Sequence, residues 1–305
     1  MGVATHRFPV DRGLTARMGF TMFLIGLLYA VFLGVLIGIG IDAGLIVAIA
    51  VAFGLCQYFF ADKIALFAMH GREVSREEAP TLHGVVDRLC ALANMKKPRV
   101  AIADTDIPNA FATGRNQRVA VVCATTGLLR RLDEPELEAV LAHELSHVAH
   151  RDVAVMTLAG FLGMAAGLLT RSFMYAGFFG GFGDDNNDGG AIGFLVILGV
   201  SVVVYVLSFI LTRALSRYRE LSADRSGAIL IGRPSVLASA LVKVSGEMGR
   251  IPTRDLRSAQ AFNAFFFAPA LTNGASLATL FSTHPSLERR LEQLARLENE
   301  LGRAR

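Results

Sequence analysis

The chain has 305 residues, of which 53% are hydrophobic and 18% are charged. Soluble domains are typically about 45–50% apolar and roughly 25% charged, so the apolar excess predicts membrane-spanning segments. A net charge of +4 without a long basic run argues against a nucleic-acid-binding protein, and the lack of a GxxxxGKS/T motif argues against a nucleotide-dependent one. Three widely spaced cysteines without a CxxC pair argue against a disulfide framework or a cysteine zinc site.

Four apolar runs approach or exceed the roughly 20 residues that a helix needs to cross a bilayer. Residues 18–41 and 43–61 predict a first transmembrane hairpin with an uncleaved anchor, and residues 153–170 and 191–212 predict a second. The alternative for the second and third runs is a buried core helix. The predicted division is an N-terminus over 1–17, hairpins over 18–61 and 153–212, and one polar domain split between 62–152 and 213–305.

The charges that flank these runs predict the orientation of the protein in the membrane. Cations lie at the outer ends of both hairpins, whereas the Gly/Asp-rich loop inside the second hairpin carries Asp184, Asp185 and Asp188 and no cation after Arg171. Because positive flanks stay in the cytoplasm, we expect both termini and the polar domain on the cytoplasmic side.

The first polar segment predicts two capped helices around two strands. Ser75 and Glu78 have capping-box spacing ahead of an amphipathic helix, and Asp133 and Glu136 have the same spacing ahead of another. Between them, RVAIAD and RVAVVCAT predict short strands on either side of the turn-rich NAFATGRNQ. The helix that begins near Asp133 carries the stretch LAHELSHVAH.

That stretch contains an HExxH motif, formed by His143, Glu144 and His147. Residues four apart on a helix lie one above the other, so both imidazoles can bind one cation. Zinc in a hydrolase takes such a pair, a third protein ligand and a water, and a carboxylate beside the ion accepts the proton of that water. The alternative is a solvated amphipathic helix with exposed histidines.

The third ligand is expected on another helix. His150 lies about 10 Å along the axis from His143, too far for one ion with bonds of ~2 Å, and it fits a helix end better. SRYRELSADRSGAIL places Glu220 and Asp224 on one helix face. Glu220 would bind the ion while Asp224 accepts a histidine N–H, or both carboxylates would form ion pairs on a solvated face.

Both candidate ligand groups lie just outside apolar runs. His147 precedes Val153 by six residues, and Glu220 follows Thr212 by eight. If each helix extends straight from the membrane, these offsets are roughly 9 and 12 Å. The two helices would then bring their ligands to one site near the cytoplasmic lipid surface.

Four motifs in this order resemble the HtpX-type membrane metallopeptidases, relatives of the CAAX prenyl endopeptidases. They are NAFATG at 109–114, HELSHVAHRD at 143–152, SRYRELSADRSGA at 216–228 and FSTHPSLERRL at 281–291. The resemblance covers nearly the whole chain. Leu221 departs from it, since an aromatic residue commonly follows the glutamate in this family.

The resemblance implies a gluzincin with one zinc ion per chain. It assigns the metal to His143, His147 and Glu220, general-base catalysis to Glu144 and support of a metal ligand to Asp224. It also implies that His284 and Arg290 face the site and stabilise the oxyanion, although the residues alone indicate a turn and a surface cation. Asn109, Ala110 and Phe111 would form an edge strand that pairs with substrate, or else a plain hairpin turn.

The fold class predicted is a mainly α membrane protein with about four transmembrane helices and a cytoplasmic α+β zincin-like catalytic domain that contains a small β-sheet. The resemblance implies an endopeptidase of the bacterial inner membrane that removes misfolded or damaged membrane proteins and contacts lipid and other quality-control proteins. The alternative is an inactive scaffold or zinc-binding protein of the same fold. Histidine-free apolar runs argue against a zinc transporter, and the charges around HExxH argue against an intramembrane protease.

Two stretches near the C-terminus complete the predictions. The aromatic FNAFFFAPAL at 262–271 is expected to contact lipid or unfolded substrate, or to lie in the core. Leucines with heptad spacing, Leu287, Leu291, Leu294, Leu297 and Leu301, predict a last helix that packs on the catalytic domain.

Overall fold

A computed structural model describes residues 12–38, 44–179, 188–248 and 284–303. The chain is mostly helical, with a small mixed sheet in its first polar segment. Its elements in chain order are α1 Arg12–Gly38, α2 Gly44–Ala68, β1 Gly71–Glu73, α3 Pro80–Ala93, β2 Arg99–Ala103, β3 Ala110–Thr113, β4 Val121–Thr125, α4 Thr126–Arg131, α5 Glu134–Ala149, α6 Asp152–Phe179, α7 Asp188–Ile231, α8 Pro234–Met248 and α9 Leu287–Arg303.

The four apolar runs fall on the long helices α1, α2, α6 and α7. Within the described residues, two stretches are long and apolar enough to cross a membrane, Arg12–Val35 and Leu198–Ile231. The bent pair formed by α5 and α6 would raise that number to three if it is one span. The prediction of about four transmembrane helices is therefore not confirmed, although the predicted runs are helical. Most of the Gly/Asp-rich loop and all of 262–271 lie outside the described residues.

The sheet has four strands in the order β1-β2-β4-β3. β2 and β4 are the two strands predicted from sequence, and they pair in parallel, whereas β1 and β3 pair antiparallel at the two edges. β3 lies inside the segment NAFATGRNQ, and β1 has only three residues. The edge strand β3 faces α5, so the sheet places an edge strand beside the HExxH helix.

The two predicted capping boxes differ in what they start. At α5 the Asp133 carboxylate accepts the N–H of Glu136 at 2.9 Å, and Glu136 accepts the N–H of Asp133 at 3.2 Å. The same reciprocal pair joins Ser75 and Glu78, but it closes a turn, and α3 begins only at Pro80. Proline at the first helical position sets that later start, because its missing N–H needs no partner there.

One hydrophobic core joins both polar segments. It contains residues of α3, α5, α8 and α9 packed against one face of the sheet. Leu294 and Leu297 of α9 are each 1% exposed within it. The heptad leucines therefore pack on the domain, as predicted, and this packing fixes α9 against α7 and α8.

The helix is interrupted between α5 and α6. His150 is the C-cap of α5, and its N–H donates to Ser146 O at 2.9 Å. Arg151 then takes a left-handed φ of 56°, and the two helices meet at 61°. A non-glycine residue with positive φ ends a helix, so α5 does not extend straight from the apolar run of α6.

Candidate metal centre

Three side chains from two helices converge on one point. His143 and His147 of α5 bring their Nε2 atoms within 3.3 Å of each other. Glu220 of α7 places its two carboxylate oxygens 3.4 Å from His147 Nε2 and 3.8 Å from His143 Nε2. All three donor atoms lie within 4.8 Å of one another. Two imidazoles and one carboxylate are the donor set of a catalytic zinc site with an open position.

The far nitrogen of each imidazole contacts a carboxylate. His143 Nδ1 lies 2.9 Å from Asp224 Oδ1, and His147 Nδ1 lies 2.5 Å from Asp152 Oδ2. An Nδ1–H that donates to a carboxylate leaves the Nε2 lone pair for a cation. Burial also lowers the pKa of His143, which favours the neutral ring that a metal needs. With these contacts, His143, His147 and Glu220 fit the binding of a divalent ion.

The supporting carboxylates are held by arginines. Arg290 donates to both oxygens of Asp224, from Nε and Nη2, each at 2.7 Å. Arg219 lies 2.8 Å from Asp152. Each histidine therefore has a carboxylate behind it and an arginine behind that carboxylate. Such charge-assisted bonds fix the orientation of the rings.

Sequence reasoning found one of these two supports and missed the other. Asp224 was expected, whereas Asp152 and Arg219 were not. The available signal was the spacing of Asp152, five residues after His147 within HELSHVAHRD. On one continuous helix that spacing would not bring the carboxylate back to the ring, and the break at Arg151 is what allows it.

The structure brings His284 and Arg290 to the site, where both contact carboxylates. His284 is 4% exposed, and its Nδ1 lies 3.0 Å from Glu220 Oε2. Arg290 is 1% exposed and makes the paired bonds to Asp224. Each side chain thus positions a residue of the metal centre. Their contribution to an oxyanion stays a prediction.

Glu144 lies beside the metal ligands and against the sheet. Its carboxylate is 4% exposed, and Oε2 accepts the N–H of Ala112 in β3 at 3.0 Å. Burial raises the pKa of Glu144 to about 8. A divalent cation next to the carboxylate favours its charged form and lowers that pKa. The group is therefore placed and tuned to accept a proton when the site is loaded.

The predicted substrate-binding residues lie on or next to β3. The backbone N–H of Asn109 donates to Thr125 Oγ1 at 2.9 Å, and the backbone C=O of Asn109 accepts the N–H of Thr125 at 2.9 Å. Ala110 and Phe111 begin the edge strand and are 1% and 2% exposed. Ala112, which sequence reasoning missed, is the strand residue whose N–H reaches Glu144. Pairing of Asn109, Ala110 and Phe111 with a substrate stays a prediction.

A glycine sets how closely the two ligand helices approach. A Cβ atom at Gly227 would lie 2.8 Å from His143 N and 3.0 Å from the carbonyl carbon of Ala142. Gly227 follows Glu220 by seven residues, two turns along the same face of α7. Backbone contact between α7 and α5 at this point holds Glu220 near the histidines. A glycine inside a helical pattern was the signal for this contact.

An HExxH helix, a distal glutamate within ligand distance and an edge strand beside them define a metallopeptidase. The chain belongs to peptidase family M48, whose family model matches residues 76–298. It is 60% identical to protease HtpX homolog 1 of Streptomyces coelicolor, over 98% of this chain and 97% of that protein. It is 56% identical to the protease HtpX homolog of Moorella thermoacetica, over 95% of this chain and 96% of that protein.

The fold is also similar to the crystal structure of S. mikatae Ste24p. The TM-score is 0.52 at 18% sequence identity, over 93% of this chain. The chain spans 66% of the length of that structure. This likeness concerns the fold alone. The family and the apolar helices together make the chain a membrane-associated metalloprotease.

Proposed function

We propose that this chain is a zinc-dependent endopeptidase of the bacterial inner membrane that hydrolyses misfolded or damaged membrane proteins on the cytoplasmic side. The observation that carries the proposal is the meeting of His143, His147 and Glu220 within 4.8 Å, with the Glu144 carboxylate beside them. The HtpX relatives named above support the assignment to proteolysis.

The residues would divide the chemistry as follows. His143, His147 and Glu220 would hold zinc, which when bound polarises a carbonyl and lowers the pKa of a water from 15.7 to ~7. Because Glu144 Oε2 is held by the Ala112 N–H, Oε1 is the oxygen that would take the proton of the attacking water. The same carboxylate would then return a proton to the leaving amine.

The neighbouring groups would position the substrate and the developing charge. The outer edge of β3 would pair with an extended substrate segment, since β3 is an edge strand of the described sheet and peptides commonly bind by adding a strand at such an edge. His284 would stabilise the oxyanion through Nε2–H, which requires that both ring nitrogens carry protons, because Nδ1 donates to Glu220. Arg290 would act through Asp224.

The substrate class follows from the position of the site relative to the apolar helices. The apolar stretch that begins at Leu198 continues along α7 into the domain, where the same helix carries Glu220, and Arg12–Val35 lies on α1, which packs against α7. No GxxxxGKS/T motif supplies ATP-driven unfolding, so substrates would have to be unfolded or frayed already. Loops and frayed segments close to the cytoplasmic surface meet that condition.

The first experiment separates an enzyme from an inactive zinc-binding scaffold. Purified full-length protein and its Glu144→Gln variant are compared for bound zinc and for casein cleavage, with and without a chelator. We expect one zinc per chain in both, cleavage by the native protein alone, and loss of that cleavage on chelation. The exposed Glu77→Gln variant serves as control. Zinc without any cleavage by the native protein would support the scaffold, and cleavage by Glu144→Gln would remove Glu144 from its role.

A second experiment tests the substrate class and the membrane side. The Glu144→Gln variant is expressed in cells, and bound proteins are captured and identified by mass spectrometry. We expect membrane proteins enriched over the captures of a His143→Ala control, more so after heat stress. Reporter fusions at residues 62–152 and 213–305 should indicate the cytoplasm. Enrichment of periplasmic proteins would contradict the orientation.

A further inference from the structure

A cleft lined by arginines lies on a different side of α7 from the metal centre. Its volume is about 340 Å³, and it lies between the first turns of α1, the polar part of α7 and α9. Leu221 and Arg225 line it, one residue after Glu220 and Asp224 and so about 100° around the helix. The charged residues in its lining are four arginines and one glutamate, Arg17, Arg225, Arg289, Arg296 and Glu292.

Ion pairs inside the protein neutralise only part of this charge. Arg225 lies 3.2 Å from Glu300, and Arg296 lies 3.4 Å from Glu292. Arg17 and Arg289 have no carboxylate partner among residues 12–38, 44–179, 188–248 and 284–303. Both side chains are exposed. Three helices therefore bring excess positive charge into one concave place, where a bound anion would relieve the mutual repulsion of the guanidinium groups.

The cleft lies at the end of a candidate membrane span. Arg17 precedes the predicted apolar run of α1, and Phe20 and Phe23 on the next turn are 63% and 64% exposed. These aromatic side chains face outward, as expected where α1 enters lipid. With the cytoplasmic orientation proposed above, arginines at this end of the span would lie among the headgroups of the cytoplasmic leaflet, which carries negative charge. The buried Leu14 adds an apolar contact at the same place.

We propose that this cleft binds the phosphate of an anionic phospholipid headgroup, with the guanidinium groups of Arg17 and Arg289 contacting the phosphate oxygens. The planar fork of arginine matches a phosphate with two parallel hydrogen bonds. The excess of cations favours a headgroup with net negative charge over a zwitterionic one. Inorganic phosphate has the same oxygen chemistry, but the exposed apolar turn of α1 beside the cleft favours a ligand with acyl chains.

A headgroup in this cleft would join the first turn of α1 to α9. Arg289 is followed by Arg290, which holds Asp224, and Gln293 donates to Leu221 O at 2.6 Å. The lipid would thereby brace α9 against the helix that carries Glu220. This inference concerns lipid binding and holds whether or not the chain cleaves peptides.

The test measures binding of short-chain phosphatidylglycerol to the full-length protein in a non-ionic detergent by native mass spectrometry. Phosphatidylcholine of the same chain length and inorganic phosphate are measured in parallel. We expect phosphatidylglycerol to bind the native protein at least about tenfold more tightly than either. Equal binding of phosphatidylcholine would overturn the preference for an anionic headgroup. Equal binding of inorganic phosphate would overturn the lipid and indicate a site for a soluble anion.

Two double variants locate the site. Arg17→Gln with Arg289→Gln should weaken phosphatidylglycerol binding by at least about tenfold. Arg118→Gln with Arg303→Gln removes the same charge from two other exposed positions and should leave binding unchanged. An unchanged affinity in the first pair, or an equal loss in the second, would contradict the proposal. If thermal unfolding shows that the first pair is not folded, Arg17→Lys with Arg289→Lys decides, since lysine keeps the charge but loses the fork. Native affinity in that pair would also contradict it.

Discussion

Two helical segments bring metal ligands from apolar runs into the polar domain, and they do so differently. α7 runs unbroken for 44 residues, from the predicted fourth apolar run to Glu220 and Asp224. The segment that carries the histidines breaks at Arg151 and bends by 61° between α5 and α6. The helix that carries Glu220 therefore continues straight from its apolar run, whereas the helix that carries His147 does not. α7 serves as the rigid reference, and the break lets α5 lie against it.

The continuous helix α7 and the broken pair α5–α6 each supply a carboxylate that contacts one of the two histidines. On the continuous helix, Asp224 lies one turn beyond Glu220 and contacts His143. At the break, Asp152 is the first residue of α6 and reaches back to His147. A regular helix and an interrupted one thus both place a carboxylate behind a ring. The substitutions described next separate what α7 and the α5–α6 pair contribute to stability and to zinc affinity.

The largest effect is expected at the buried ion pair on the continuous side. Arg290→Met removes the only cationic partner of the buried Asp224 carboxylate among the described residues and leaves its contact with His143 Nδ1, which should lower the free energy of unfolding by about 3–5 kcal/mol. Urea unfolding of the detergent-solubilised protein, followed by circular dichroism, measures this loss. The control is Arg233→Met, whose half-exposed pair with Glu138 should contribute less than about 1 kcal/mol. A loss at Arg290 no larger than at Arg233 would contradict the structure.

The two carboxylates that contact the histidines, Asp152 and Asp224, should contribute to metal affinity to a similar degree. Asp152→Asn and Asp224→Asn each remove the charge behind one histidine, so each should weaken zinc binding by about 10–100-fold. Competition with a zinc-binding dye measures the affinity. Asp106→Asn, with a side chain that is 85% exposed, is the control. If Asp152→Asn leaves the affinity unchanged, the break has no part in the metal site.

Gly227 offers a test of the close contact between α7 and α5. Gly227→Ala places a methyl group 2.8 Å from His143 N, which should destabilise the protein by about 1–3 kcal/mol and weaken zinc binding. Gly84→Ala is the matched control, because no atom lies within 4 Å of its added Cβ. That change inside α3 should stabilise by about 0.5–1 kcal/mol. Opposite signs for the two alanines are the expected result, and equal signs would count against the close approach.

The smallest effect is expected at the break itself. Arg151 has a φ of 56°, and a left-handed conformation is unfavourable for a residue with a Cβ. Arg151→Gly should therefore stabilise the protein by up to about 1 kcal/mol, as measured by the same urea titration. A loss of more than about 1 kcal/mol would show that the arginine side chain, rather than the backbone, holds the junction.

Local rules predicted the parts of the fold that depend on neighbouring residues. The capping box at Asp133, the existence of the strands β2 and β4, the heptad leucines of α9 and the spacing of His143 and His147 all follow from short-range geometry, whereas the parallel pairing of the two strands was not predicted. Glu220 was predictable for a further reason, because α7 is continuous and a helix has a fixed rise. The length and composition of each run did not decide how many helices cross the membrane.

Contacts set by tertiary packing were missed. Asp152 meets His147 only because the chain turns at Arg151, and the sequence analysis, which placed His150 at a helix end, did not predict this turn. Gly227 is one of 30 glycines, and its role depends on the backbone of α5 lying against it. The pairing of Arg290 with Asp224 joins residues 66 positions apart. None of these contacts has a periodic pattern that could be read along the chain.

Anomalous diffraction at the zinc edge from crystals of the Glu144→Gln protein would locate the ion directly. We predict one peak per chain, within about 2.0–2.2 Å of His143 Nε2, His147 Nε2 and a carboxylate oxygen of Glu220. A peak on the two histidines with Glu220 turned away, or a peak elsewhere in the chain, would contradict the meeting of the continuous and the broken helix at one metal.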